Sequence, residues 1–114
     1  MQKIILLAAL LAVALTCVSR ADAIAKGMEW VNAHVPYSQT GSYEGYRTDC
    51  SGFASCIWRL PRPGYTTRDF VGAKVCAKTT KENLERGDFM LAPDHHVAIF
   101  IEWADAGKTH YWLM

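Results

Sequence analysis

Apolar residues Ile24, Met28, Val31 and Val35 recur at steps of four, three and four, which predicts an amphipathic helix over 24–35 that Pro36 ends. From Tyr37 to Thr48 the chain mixes Ser38, Gln39, Thr40, Gly41, Ser42 and Gly45 with three tyrosines, a composition that predicts an irregular loop. Helical spacing returns through Phe53, Ile57 and Leu60, giving a second helix over 49–60 that Pro61 and Pro63 stop. After the Pro63-Gly64 turn a polar stretch without a strong period runs to Thr80, and Lys81 to Arg86 reads as one short helical turn. Asp88 to Leu91 and His96 to Trp103 predict strands, the latter rich in β-branched and aromatic residues. Tyr111 to Met114 predicts a third strand after a turn at Ala104 to Lys108. Helices first and antiparallel strands afterwards is an α+β order, with no internal repeat or low-complexity linker.

The first 23 residues stand apart from this pattern. Lys3 precedes an apolar run from Ile4 to Leu15, and Ala21-Asp22-Ala23 supplies a small-residue exit, the anatomy of a secretory signal peptide. The run is shorter than the roughly 20 apolar residues of a membrane span. Ala14-Leu15-Thr16-Cys17 is a poor lipobox, so a lipid anchor is the weaker reading. A signal peptide over 1–23 and one secreted domain over 24–114 are therefore expected, extracellular, periplasmic or lumenal after cleavage near Ala23. The whole chain has 12 basic and 11 acidic residues, a net charge of +1 and 51% hydrophobic content. That balance suits one small monomeric domain and argues against nucleic acid or an acidic membrane surface as partner.

Cleavage at Ala23 leaves Cys50, Cys56 and Cys76, an odd number for an oxidising compartment. A cysteine acts as a nucleophile only as its thiolate, which a helix N-terminus or a cationic neighbour favours. Cys50 falls in the first turn of the second helix, where free backbone N–H groups favour negative charge and can donate to an oxyanion. Six helical residues separate Cys50 and Cys56 by about 9 Å along the axis and about 120° around it, beyond the reach of a disulfide. Cys56 and Cys76 are the possible bridge; two buried free thiols are the alternative. The base is expected from a strand facing this helix. Alternation along His96-Val97-Ala98-Ile99-Phe100-Ile101 sets His96, Ala98 and Phe100 on one face, and the small Ala98 leaves room for a helix beside His96. His95 points to the other face.

Asp49-Cys50-Ser51-Gly52-Phe53, Leu84-Glu85-Arg86-Gly87-Asp88-Phe89 and His96-Val97-Ala98-Ile99-Phe100 together resemble the three sequence blocks of the NlpC family of cell-wall cysteine endopeptidases, in order and at suitable spacing. The likeness covers about Ala25 to Phe100. It implies a papain-like domain with the nucleophile's helix packed on an antiparallel sheet. It also implies cleavage of peptide bonds in bacterial peptidoglycan stem peptides, often next to D-glutamate. Cys50 would be the nucleophile and His96 its base, with no metal or organic cofactor. Tyr37 matches the family's loop tyrosine, which would bring its hydroxyl near the oxyanion. By the same likeness Asp49 meets a substrate amine, although an aspartate here is equally a helix N-cap.

A triad also needs a residue that orients the imidazole. His110 is the only later histidine and hence the candidate. A simple hairpin centred on 105–107 would pair Trp103 with Thr109 and set His110 opposite Glu102, leaving the partner of His96 beyond Met114. The chain stops inside a predicted strand, so a fragment or an abbreviated domain is expected. Three rivals remain. A zinc site lacks the paired ligand spacings, a non-catalytic binding module would keep the fold, and an amidase or acyl-transfer relative would share Cys50 and His96.

Overall fold

The computed structural model describes residues 18–72 and 76–114. Helix α1 (Arg20–Asn32) starts where Ser19 accepts a hydrogen bond from the Asp22 N–H at 3.0 Å, leaving Asp22 in the first turn to complement the helix dipole. Its buried stripe is Ala23, Gly27 and Trp30, one position before the expected one; Met28 and Val31 are exposed. Small residues decide this, because a Cβ on Gly27 would stand 2.3 Å from Met114 Sδ and 3.2 Å from Phe53 Cζ. Access of the Met114 and Phe53 side chains to the helix backbone at Gly27 outweighs the size of the apolar side chains. The boundary expected after Ala23 falls inside α1. Arg20 pairs with Glu85 and Asp88 at 3.1 and 2.7 Å, and Ala23 is fully buried. Residues 19–23 thus belong to the folded body, while the remainder of the expected leader, up to Cys17, lies outside the described residues.

The stretch expected to be an irregular loop is a hairpin of β1 (Ser38–Tyr43) and β2 (Tyr46–Thr48). Glu44 and Gly45 carry φ of 52° and 84° between the paired Tyr43 and Tyr46, the double left-handed turn that matches strand twist. Helix α2 (Cys50–Ile57) follows at once, and a six-residue helix α3 (Thr67–Gly72) appears within the stretch that showed no period. Its start is a reciprocal cap. The Thr66 N–H donates to Asp69 and the Asp69 N–H donates to the Thr66 hydroxyl, at 3.0 and 3.2 Å. These bonds hold the Asp69 carboxyl below the ordinary carboxylate range.

A 3-10 turn over Lys81–Asn83 precedes a three-stranded antiparallel sheet of β3 (Phe89–Ala92), β4 (His96–Trp103) and β5 (Tyr111–Leu113), with β4 in the middle. The molecule is α+β, as expected, with α2 at its centre. Six of its eight residues are buried. One face joins Ala54 and Ile57 to Ala23, Phe70, Val97 and Ile99; the other sets Cys56 against Trp30 and Tyr46. Full burial of an Ile-sized side chain is worth about 1.5–3 kcal/mol, so Ile57 and Ile99 are the main pins between helix and sheet.

Candidate active site

Cys50 is the first residue of α2, and the turn before it is densely bonded. Asp49 has extended backbone and caps the helix by accepting from the Gly52 N–H at 2.8 Å. Ser51 donates weakly to the same carboxylate at 3.4 Å, and Arg47 Nε donates to it at 3.1 Å. Gly52 is obligatory for this packing, since a Cβ there would fall 2.1 Å from the Arg47 carbonyl oxygen. The expected role of Asp49 toward a substrate amine therefore competes with three hydrogen bonds it already accepts. The Cys50 thiol is free and half-buried, on the same helix face as Ala54 and Ile57.

Tyr37, just before β1, is brought to this thiol. Its side chain is 66% exposed. Desolvation first, then its neighbours Cys50 and Asp49, push the hydroxyl up from the ordinary tyrosine value. The hydroxyl thus stays protonated through neutral pH.

The helix orientation sets the level of the histidines. At the C-terminal end of α2, Trp58 Nε1 donates to the Gly87 carbonyl at 3.0 Å, and the Gly87 N–H donates to Phe100 at 2.8 Å. From Trp58 back to Cys50 is about 12 Å of helix, and from Phe100 back to His96 is about 13 Å of strand. These contacts tie the C-terminal end of α2 to the level of Gly87 and Phe100 in the sheet, and Cys50 packs against the cluster that holds Val97 and Ile99. Two details differ from the sequence expectation. It is Val97 and Ile99, not Ala98, that join Ala54 and Ile57, because the bulky branched side chains fill the helix–sheet core. His96 then occupies the alternate face with Ala98 and Phe100, and it is exposed, as is His95 in the turn before it. Among the described residues the only hydrogen bond of a histidine ring is that of His110.

His110 is not brought to the site, which corrects its assignment as the orienting residue. β5 pairs Trp103 with Tyr111, two residues beyond the simple hairpin, so His110 stands beside Ala104, whose N–H donates to its carbonyl at 2.8 Å. Its ring meets Thr109 at 2.9 Å and its N–H donates to Asp105 at 2.7 Å. Eight strand residues, about 26 Å, separate that end of β4 from His96. Asp105 made the difference by capturing the N–H groups of Thr109 and His110 and shaping a wider turn.

The expected Cys56–Cys76 bridge is likewise not formed: Cys50, Cys56 and Cys76 are all free. Cys56 is 1% exposed in the Trp30 and Tyr46 cluster, while Cys76 is exposed along a separate surface groove. Burial pushes the Cys56 thiol up, only partly offset by the Trp30 indole N–H, so it stays protonated. Among the described residues no cluster of three or more His, Cys, Asp or Glu could hold a metal ion, and no helix is long and apolar enough to cross a membrane.

Arg47 escaped the sequence reading. It sits two residues before the capping aspartate on a short strand, where pattern gives no sign that a charged side chain turns inward. No family model matches this chain, and neither a curated protein nor a solved structure does.

Proposed function

We propose that this chain is a secreted, papain-like cysteine hydrolase that cleaves peptide bonds in bacterial peptidoglycan stem peptides, with Cys50 as nucleophile and His96 as general base. The observation that carries the reading is a free, half-buried thiol on the first residue of a helix capped by Asp49. In this reading the Cys50 N–H and the Tyr37 hydroxyl serve as donors to the oxyanion of a tetrahedral intermediate. The likeness of the Cys50 and His96 blocks to the NlpC family supplies the substrate class.

In this mechanism His96 takes the thiol proton, the thiolate attacks the scissile carbonyl, and the tetrahedral intermediate expels the amine as His96 returns the proton. Water activated by the same imidazole then releases the acyl group and regenerates the thiol. This step requires the imidazole of His96, which heads β4 on the face opposite Val97 and Ile99, to come round the exposed strand end to the sulfur.

A non-catalytic binding module is the second reading, favoured by one observation: His96 makes no hydrogen bond to Cys50 among the described residues. Incubation with purified peptidoglycan and mass analysis of released stem peptides separates the two. Release by the wild-type chain and none by Cys50→Ser supports the hydrolase; identical patterns from both leave only binding.

A further inference from the structure

The side chain of Arg47 on β2 is three-quarters buried beside the start of α2, and its fork is fully used. Nε donates to Asp49 at 3.1 Å, Nη1 to the carbonyls of Gly64 and Pro63 at 2.7 and 3.4 Å, and Nη2 to the Tyr65 carbonyl and the Ser51 hydroxyl at 2.7 and 3.3 Å. Five donors meet five acceptors, the whole capacity of a guanidinium. Its main chain is also engaged, the N–H donating to Pro63 at 3.0 Å. Such a fork could be a simple loop clamp, and a clamp needs no charge. Here the charge has a second use, because the carboxylate it touches caps the helix that begins with the thiol. An unpaired Asp49 beside Cys50 would oppose thiolate formation, whereas an Asp49 paired with Arg47 keeps its capping geometry at little electrostatic cost.

Taking Cys50 as the nucleophile proposed above, we infer that Arg47 is a positioning residue that offsets the charge of Asp49, so that the helix start keeps its cap and still favours a thiolate. Arg47 acts through Asp49 and the first turn and is not assigned to touch substrate. The other titratable group beside Cys50 is the Tyr37 hydroxyl. Asp69 at the start of α3 also feels the Arg47 charge.

The test is the pH profile of iodoacetamide alkylation at Cys50 in the full chain, resolved from Cys76 by peptide mass spectrometry. Arg47→Gln should raise the midpoint by about one pH unit. Asp49→Asn, which keeps a good cap, should lower it, and the double variant should return toward wild type. Arg47→Lys keeps the charge but not the fork, so its midpoint should stay near wild type while its melting temperature falls. A folded Arg47→Gln with an unchanged midpoint overturns the inference, as does a double variant that stays at the Arg47→Gln value. If Arg47→Gln does not fold, Asp49→Asn decides alone: a lowered midpoint supports the inference and an unchanged one overturns it. Alkylation needs no substrate, so a chain that releases no stem peptides yet shows these shifts loses the hydrolase reading and keeps the role of Arg47.

Discussion

The two sides of the candidate site are built differently. On the thiol side, Arg47, Asp49, Ser51 and Gly52 share a closed set of hydrogen bonds, and Gly52 tolerates no added atom against the Arg47 carbonyl. On the imidazole side, His95 and His96 are exposed at a turn and a strand start, held by backbone pairing to β3 alone: Ala92 opposite His96, and the His95 N–H to the Ala92 carbonyl at 3.0 Å. The contrast has a physical logic. A thiolate needs its dipoles fixed before reaction, because reorganising them during reaction would cost barrier height, whereas a general base must move a proton in two directions and gains from a free side chain.

The largest effect that would break this picture lies on the mobile side. His96→Ala should lower stem-peptide release by about 10²- to 10⁴-fold, the range for a lost general base, with His95→Ala changing it only a few-fold. Initial rates on the same peptidoglycan check both, and the reverse order would hand the role to His95, which shares strand parity with Val97. Next, on the rigid side, Gly52→Ala should destabilise by about 3 kcal/mol, because its Cβ meets backbone that cannot move aside. A urea midpoint within error of wild type would show that the turn is softer than described. Asp49→Ala should cost about 1 kcal/mol through the lost cap, read by the same denaturation curve. The smallest effect belongs outside the site. His110→Ala should change stability by no more than about 0.5 kcal/mol and leave release unchanged, since its ring bonds only to Thr109 at an exposed turn. A large loss of activity in that variant would return His110 to the catalytic set.

Elements with large apolar side chains or strong punctuation were legible from order along the chain. β4 has the bounds its β-branched and aromatic run predicts, and α2 begins beside the expected Asp49. The hairpin over 38–48 and α3 were missed because neither has an apolar alternation or stripe. The Glu44-Gly45 pair between two tyrosines and the Thr66-Thr67-Arg68-Asp69 box were the local signals that could have found them. In α1 the helix was right and its buried face wrong, since hydrophobicity ranks Met28 and Val31 above Ala23 and Gly27, while packing selects what lets the Phe53 and Met114 side chains reach the helix backbone.

By itself the sequence determined an α+β order, a cysteine at a helix start behind a capping aspartate, and a histidine at the head of a buried strand, because these follow from local period and capping chemistry. Only the tertiary structure decided that Val97 and Ile99 rather than Ala98 face the helix, that Cys56 and Cys76 stay apart, and that Arg47 turns inward. Each of these depends on which surfaces meet across long stretches of chain, and that choice is made by packing volume and by the pairing of buried polar groups such as the Arg47 guanidinium, neither of which is written in any one segment.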